Sequence, residues 1–201
     1  MGWKCKLCGW KNDSDAKKCL SCDKRKPKKP RAPLPRTESP IACILLALDT
    51  ANVTGWAIRV CGLIESHGQH KLYTDDGMKS TDEVLSKLAQ LRNATGLPIA
   101  VVSERSWGGY MGQGATMGFG YWVHALRGIG VRMKRFQEVY PASWRAVILP
   151  GFHDAERSIV REEEQRKACA MVNANRLGDD EAPAILISEW GAYAGEVAER
   201  I

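Results

Sequence analysis

The sequence lacks a long apolar segment. Its longest apolar run, Ile41 to Leu48, is eight residues, whereas a membrane-spanning helix needs roughly 18 or more. That run predicts a buried strand, and no membrane partner is expected. The first residues, MGWKCKLCGW, contain no apolar core of a secretory signal, so a cytoplasmic setting is expected. No internal repeat is visible. Hydrophobic residues still make up 44% of the 201 positions, which excludes a wholly disordered chain. At about 150 residues per domain, one full domain and at most a small accessory module are expected.

The larger part of the chain also lacks net positive charge. The net charge is +6, but residues 1–40 hold 12 Lys/Arg against 4 Asp/Glu, a balance of +8. Residues 41–201 hold 17 against 19, a balance of −2. The basic character therefore belongs to the N-terminal fifth. Such an arm predicts a polyanionic partner, with nucleic acid first in line; the plain alternative is a solvated tail.

Four of the seven cysteines form two C-x2-C knuckles, Cys5/Cys8 and Cys19/Cys22. Four thiolates so spaced suit the tetrahedral geometry of a closed Zn²⁺ site. About 25 residues cannot bury a core, so a metal would have to supply the folding energy. Cys43, Cys61 and Cys169 lie scattered in apolar surroundings and read as small buried hydrophobes. The wider pattern is Trp3-x-Cys5-x2-Cys8-x3-Asn12-x6-Cys19-x2-Cys22. It resembles the Ran-binding-protein-type zinc finger, whose members bind single-stranded RNA or ubiquitin. The ubiquitin-binding branch carries Thr-Phe after the second cysteine, where this chain has Gly9-Trp10. Trp3 reads as structural, whereas Trp10, among several lysines, either stacks on a base or covers the zinc core. Residues 23–40 hold five prolines and seven Lys/Arg and predict an extended basic linker. Lys24, Arg25, Lys26, Lys28 and Lys29 are its candidate phosphate contacts. The expected boundaries are a finger over 1–25, a linker over 26–40 and a main domain over 41–201.

In the main domain the pattern predicts strands over 43–49, 53–60, 63–72, 97–104 and 131–140. Helices are expected over Thr81–Leu91 with Thr81 as cap, near Tyr121–Leu126, from Pro141, over Arg157–Leu177, and after Gly178-Asp179-Asp180. This order predicts an α/β fold: a mixed sheet with helices on both faces.

Two of those strands end in a carboxylate, Asp49 and Glu104, and Asp179-Asp180-Glu181 opens the last helix. Ligand sites in open α/β sheets lie at strand ends. Carboxylates converging there could bind two divalent cations and clamp a phosphodiester. Each acid also has a plain reading, as a turn residue, a salt-bridge partner or a helix cap; their joint order is what points to chemistry.

LALDTANVTGWAI, VVSE with its Gly-rich sequel, VYPASWRAVILPG and DDEAPAILI together resemble the RuvC-like Holliday junction resolvases of the RNase H-like superfamily. The resemblance spans about residues 43–190. It implies an RNase H-like fold and Mg²⁺- or Mn²⁺-dependent hydrolysis of branched DNA, a four-way junction above all, by a homodimer. A bacterial or phage setting is implied in the same way. Asp49, Glu104 and Asp180 match the family's metal carboxylates. At the expected fourth carboxylate stands Pro183, for which Glu181 or Asp179 are the available substitutes. Arg145 matches a basic position suited to phosphate, with Trp144 expected in the core beneath it. Arg127, Arg132, Lys134 and Arg135 form either a DNA track or a solvated face. The alternatives are a catalytically weakened branch-binding protein and a zinc-finger adaptor on a nuclease-like scaffold. A two-domain sugar-kinase or actin-like ATPase does not fit, because the residues after Pro40 hold one such domain.

Overall fold

The computed structural model describes residues 3–4, 11–12, 39–105, 113–152, 155–193 and 197. The chain divides into two units, Met1–Ala32 and Pro33–Ile201. In the first unit, strands β1 (Trp3–Lys4) and β2 (Lys11–Asn12) pair antiparallel, with Trp3 opposite Asn12. Cys5, Cys8, Cys19, Cys22, Trp10 and the linker residues Lys24, Arg25, Lys26, Lys28 and Lys29 lie outside the described residues.

The second unit is built on a five-stranded mixed sheet. Its strands are β3 (Ile44–Asp49), β4 (Val53–Val60), β5 (Leu63–Lys71), β6 (Ile99–Glu104) and β7 (Phe136–Val139), in the spatial order β5-β4-β3-β6-β7. Strands β3, β4 and β5 form an antiparallel meander, whereas β6 and β7 run parallel to β3. The two central parallel strands are apolar along their length, as burial on both faces demands. The helices are α1 (Asp75–Thr95), α2 (Gln113–Gly128), α3 (Pro141–Ile148), α4 (Arg157–Val172) and α5 (Glu181–Tyr193).

Alternation along each strand divides the core in two. Leu45, Ala47, Ala57, Ala100 and Val102 pack with Trp144 and Ile148 of α3, Ala168 of α4 and the apolar body of α5. Ile44, Leu46, Leu48, Ile58, Ile99 and Val101 pack with Val84 and Leu88 of α1 and Trp122 and Leu126 of α2. Helices therefore cover both faces, as the sequence predicts. Every residue from Ala182 through Ser188 is buried. This is why α5 shows no one-sided apolar stripe: the sheet covers one side and α3 and α4 the other.

The structure corrects several expectations. Helix α1 starts before Thr81, and its cap is Thr74, whose side chain accepts a hydrogen bond from Gly77 N at 3.0 Å. Asp75 and Asp76 then occupy the first turn, where acids favour a helix start. Thr81 is buried inside the helix, donating to the Gly77 carbonyl at 3.0 Å and lying 2.9 Å from His70 Nε2. Helix α2 starts at Gln113 rather than near Tyr121, so its first turns run through the Gly-rich segment. Only Phe136–Val139 of the expected strand over 131–140 is extended, because Met133–Arg135 forms a 3₁₀ turn. Helix α4 ends at Val172, where Asn173 adopts the left-handed conformation. Cys61 is exposed, not buried. It shares the two-residue β4–β5 turn with Gly62, both at positive φ, which turns its side chain away from the sheet. Cys43 is buried as expected, and burial raises its thiol pKa to about 12. Cys169 is half-buried.

Candidate active site

Asp49 and Glu104 end neighbouring parallel strands. Leu48 of β3 is in register with Ser103 of β6, so the two acids leave the same end of the sheet side by side. On the other side of Asp49 lies its antiparallel partner Gly55 of β4. A side chain at Gly55 would overlap the Asp180 carbonyl. The absence of one lets the residue just before α5 rest directly on the sheet beside Asp49. Asp180 is thus brought to Asp49 from one flank and Glu104 from the other.

The loop bearing Asp180 is held by β5 and by α4. Gln69 Oε1 of β5 accepts from Asp180 N at 3.2 Å. His67 Nδ1, also on β5, lies 2.6 Å from Glu181 Oε1, while Glu181 Oε2 accepts from Gly178 N at 2.9 Å. Gln165 of α4 donates to the carbonyls of Leu177 and Gly178 at 3.3 and 3.2 Å. Both carboxylate oxygens of Glu181 are therefore engaged in closing the helix start, away from Asp49 and Glu104. Pro183 sits buried in the first turn of α5, where its missing N–H is tolerated. It lines a small cleft with Arg161, Glu164, Gln165, Asp179 and Ala182.

On the far side of Glu104, Val139 of β7 pairs with it, and Pro141 opens α3 two residues later. That short connection returns Trp144 and Arg145 to the strand end. Trp144 is wholly buried and donates from Nε1 to Glu104 Oε2 at 2.7 Å. The Arg145 guanidinium lies over the Trp144 ring, 4.8 Å from its centroid. Its Nη2 stands 3.9 Å from Glu104 Oε2, and its Nε donates to Glu164 Oε1 of α4 at 2.6 Å. The sequence placed Trp144 beneath Arg145 but not as a donor to Glu104. It offered no sign of Glu164, one of three consecutive glutamates on a charged helix. Arg127, Arg132 and Lys134 are exposed and Arg135 partly so.

The electrostatics follow from this crowding. Burial pushes the Asp49 carboxyl well above the ordinary carboxylate range. The charges of Glu104, Asp180 and Glu164 add to the shift, and Arg145 opposes it. Glu104 is also raised by burial, against the pull of Arg145 and the Trp144 hydrogen bond. Asp180 is raised by burial and by Asp179, with Arg161 opposing. Three hard oxygen donors that repel one another form a donor set suited to a hard divalent cation, whose charge would relieve the repulsion. Among the described residues, no group of three or more His, Cys, Asp or Glu side chains is drawn tightly enough together to hold a metal ion as it stands. Arg145 is the compensating charge beside Asp49 and Glu104, and Arg161 the one beside Asp180.

The second unit is similar in fold to RuvC from Thermus thermophilus. A structure of T. thermophilus RuvC in complex with Holliday junction substrate superposes with a TM-score of 0.50 at 11% identity, covering 75% of this chain and 92% of that one. A second Thermus thermophilus RuvC structure gives 0.50 at 12%, covering 75% of this chain and 98% of that one. The fold is RuvC-like. No family model and no curated protein matches the sequence. In this RuvC-like sheet, the acids read from the sequence stand at the carboxyl ends of the two central parallel strands and at the start of α5.

Replacing Trp144 by Phe keeps an aromatic ring in the core, at the cost of some buried volume, and removes the donor to Glu104. The partly buried carboxylate then loses a hydrogen bond, at a cost of about 1–3 kcal/mol. The expected outcome is a Glu104 carboxyl titrating at still higher pH, seen by carboxyl-resolved NMR. An unchanged titration would show that the bond does not hold in solution.

Proposed function

We propose that the chain is a divalent-metal-dependent, structure-selective endodeoxyribonuclease that cleaves branched DNA, four-way junctions included, by water attack on a phosphodiester. The observation that carries this reading is the delivery of Asp49, Glu104 and Asp180 to one sheet end by β3, β6 and the start of α5. The fold likeness to RuvC supports it. Asp49, Glu104 and Asp180 would hold Mg²⁺ or Mn²⁺, which when bound would activate the attacking water and stabilise the leaving oxygen. Trp144 keeps the Glu104 carboxylate in one orientation. Gln69, His67 and Gln165 keep Asp180 in place through the loop that bears it. Arg145 offers a cation beside Glu104 for a phosphate of the bound DNA.

The N-terminal unit adds affinity in this reading. Cys5, Cys8, Cys19 and Cys22 would bind Zn²⁺, and Trp10 would stack on a single-stranded base. Lys24, Arg25, Lys26, Lys28 and Lys29 would contact phosphates and make binding salt-dependent. A homodimer would present two centres to a junction of matching symmetry. The test is cleavage of a mobile four-way junction by the full chain with and without Mg²⁺, beside a chain starting at Pro40. Metal-dependent cutting by both is expected, with weaker binding and a shallower salt slope for the shorter one. Absence of metal-dependent cutting on branched DNA overturns the reading.

Pro183 favours a second reading, a branch-binding protein with weakened chemistry. There the side chain on the α5 turn facing Glu164 carries no oxygen. Pro183→Asp separates the two: a large gain in cleavage rate favours the second reading, and no gain the first.

A further inference from the structure

Glu164 belongs to no part of the nuclease centre proposed above, yet it is the most deeply buried carboxylate near it, at 3% exposure. A buried carboxylate on a charged helix needs a reason, because an unpaired one is costly. Its partner is Arg145 Nε, at 2.6 Å, a short charge-assisted bond. The guanidinium is a rigid fork with five N–H donors. Fixing its Nε edge to Glu164 and its face to the Trp144 ring leaves little rotational freedom. What remains is the Nη edge, whose Nη2 lies 3.9 Å from Glu104 Oε2, beyond hydrogen-bond length. The Arg145 side chain keeps 30% of its surface exposed.

We propose that Glu164 is a positioning residue: it holds Arg145 by Nε so that the Nη edge faces the DNA phosphate bound at the Asp49–Glu104–Asp180 site. This rests on the nuclease reading. Without Glu164 the guanidinium is drawn closer to the neighbouring Glu104 carboxylate, where it would neutralise a proposed metal ligand and turn its donors away from DNA. A lysine at 145 lacks the rigid planar fork that presents one edge to Glu164 and another to phosphate, so it would hold its charge in a less defined direction.

The experiment uses the full chain and a four-way junction in Ca²⁺, a probe condition that reads binding without turnover. Junction affinity and its salt dependence are measured for wild type, Arg145→Ala, Glu164→Ala and the double variant. Each single change is expected to weaken binding about tenfold and to lower the salt slope by about one phosphate contact. The double variant is expected to bind no more weakly than Arg145→Ala alone. Glu164→Gln keeps the volume and an acceptor oxygen, so it guards against a folding defect. It is expected to weaken binding about threefold when Arg145 is present and not at all in the Arg145→Ala background. Additive effects of the two changes, or an equal effect of Glu164→Gln in both backgrounds, overturn the proposal. If the wild-type chain binds no junction, the nuclease reading falls with it; if it binds and the effects are additive, this inference falls alone.

Discussion

Asp49→Asn should lower single-turnover cleavage of a four-way junction in Mg²⁺ by about 10³-fold or more, with junction binding in Ca²⁺ little changed. Asp49 lies between Glu104 and Asp180, so it is the one proposed ligand that both others flank. The same change should stabilise the metal-free protein. Asp49, Glu104 and Asp180 are all raised in the folded chain, by burial first and by neighbouring acids where these add. The folded state therefore binds more protons than the unfolded one. Stability must fall as pH rises from the ordinary values, 3.8 for Asp and 4.5 for Glu, toward the raised ones. Wild type without metal should melt at lower temperature at pH 8 than at pH 5. Asp49→Asn should raise the melting temperature at pH 8, with the gain disappearing below about pH 4. Added Mg²⁺ should raise it in wild type and much less in the variant. Robust metal-dependent cutting by Asp49→Asn would remove Asp49 from the centre. A variant less stable than wild type at pH 8 would contradict the repulsion described here.

Gly55→Ala should damage both fold and chemistry. Gly55 needs no unusual backbone conformation; it needs empty space, because the new methyl would occupy the position of the Asp180 carbonyl. Neither backbone can give way cheaply, since Gly55 is paired with Asp49 and the Asp180 loop is tied to Gln69 and Gln165. The expected cost is about 3 kcal/mol or more, at the upper end of overpacking. Urea denaturation reads the loss in stability, and cleavage should fall with it as Asp180 moves away from Asp49. A variant with wild-type stability would mean that α5 does not start against β4.

The legible part of the chain was its apolar patterning. The run ending at Asp49 and the run ending at Glu104 read as buried strands, and an acid closing each is visible without any structure. The gaps between the expected strands, at 50–52 and 61–62, are the meander turns. The start of α1 was missed because its first turn, Asp75-Asp76-Gly77, carries a glycine and no apolar periodicity. Gly77 is there because a side chain would strike the Lys71 carbonyl, a tertiary reason that propensity cannot express. The start of α2 is glycine-rich, which local propensity reads as a loop, and the extended pattern before α3 is interrupted by a 3₁₀ turn.

Glu164 marks the boundary most clearly. Along the chain it is one of three adjacent glutamates, and Arg145 is 19 residues away. Nothing local distinguishes it from Glu163, which instead pairs with Arg166 at the surface. Which glutamate turns inward is decided by the rotation of α4 against α5 and by the length of the turn after β7. The sequence by itself determined which residues could be strands, where acids would end them and where the charge lies, because alternation and burial are local in the chain. Only the tertiary structure decided that Asp180 meets Asp49 across a missing side chain at Gly55, that Glu181 faces His67, and that Glu164 holds Arg145. Those outcomes depend on close approach between elements far apart in sequence, and no local pattern encodes the distance.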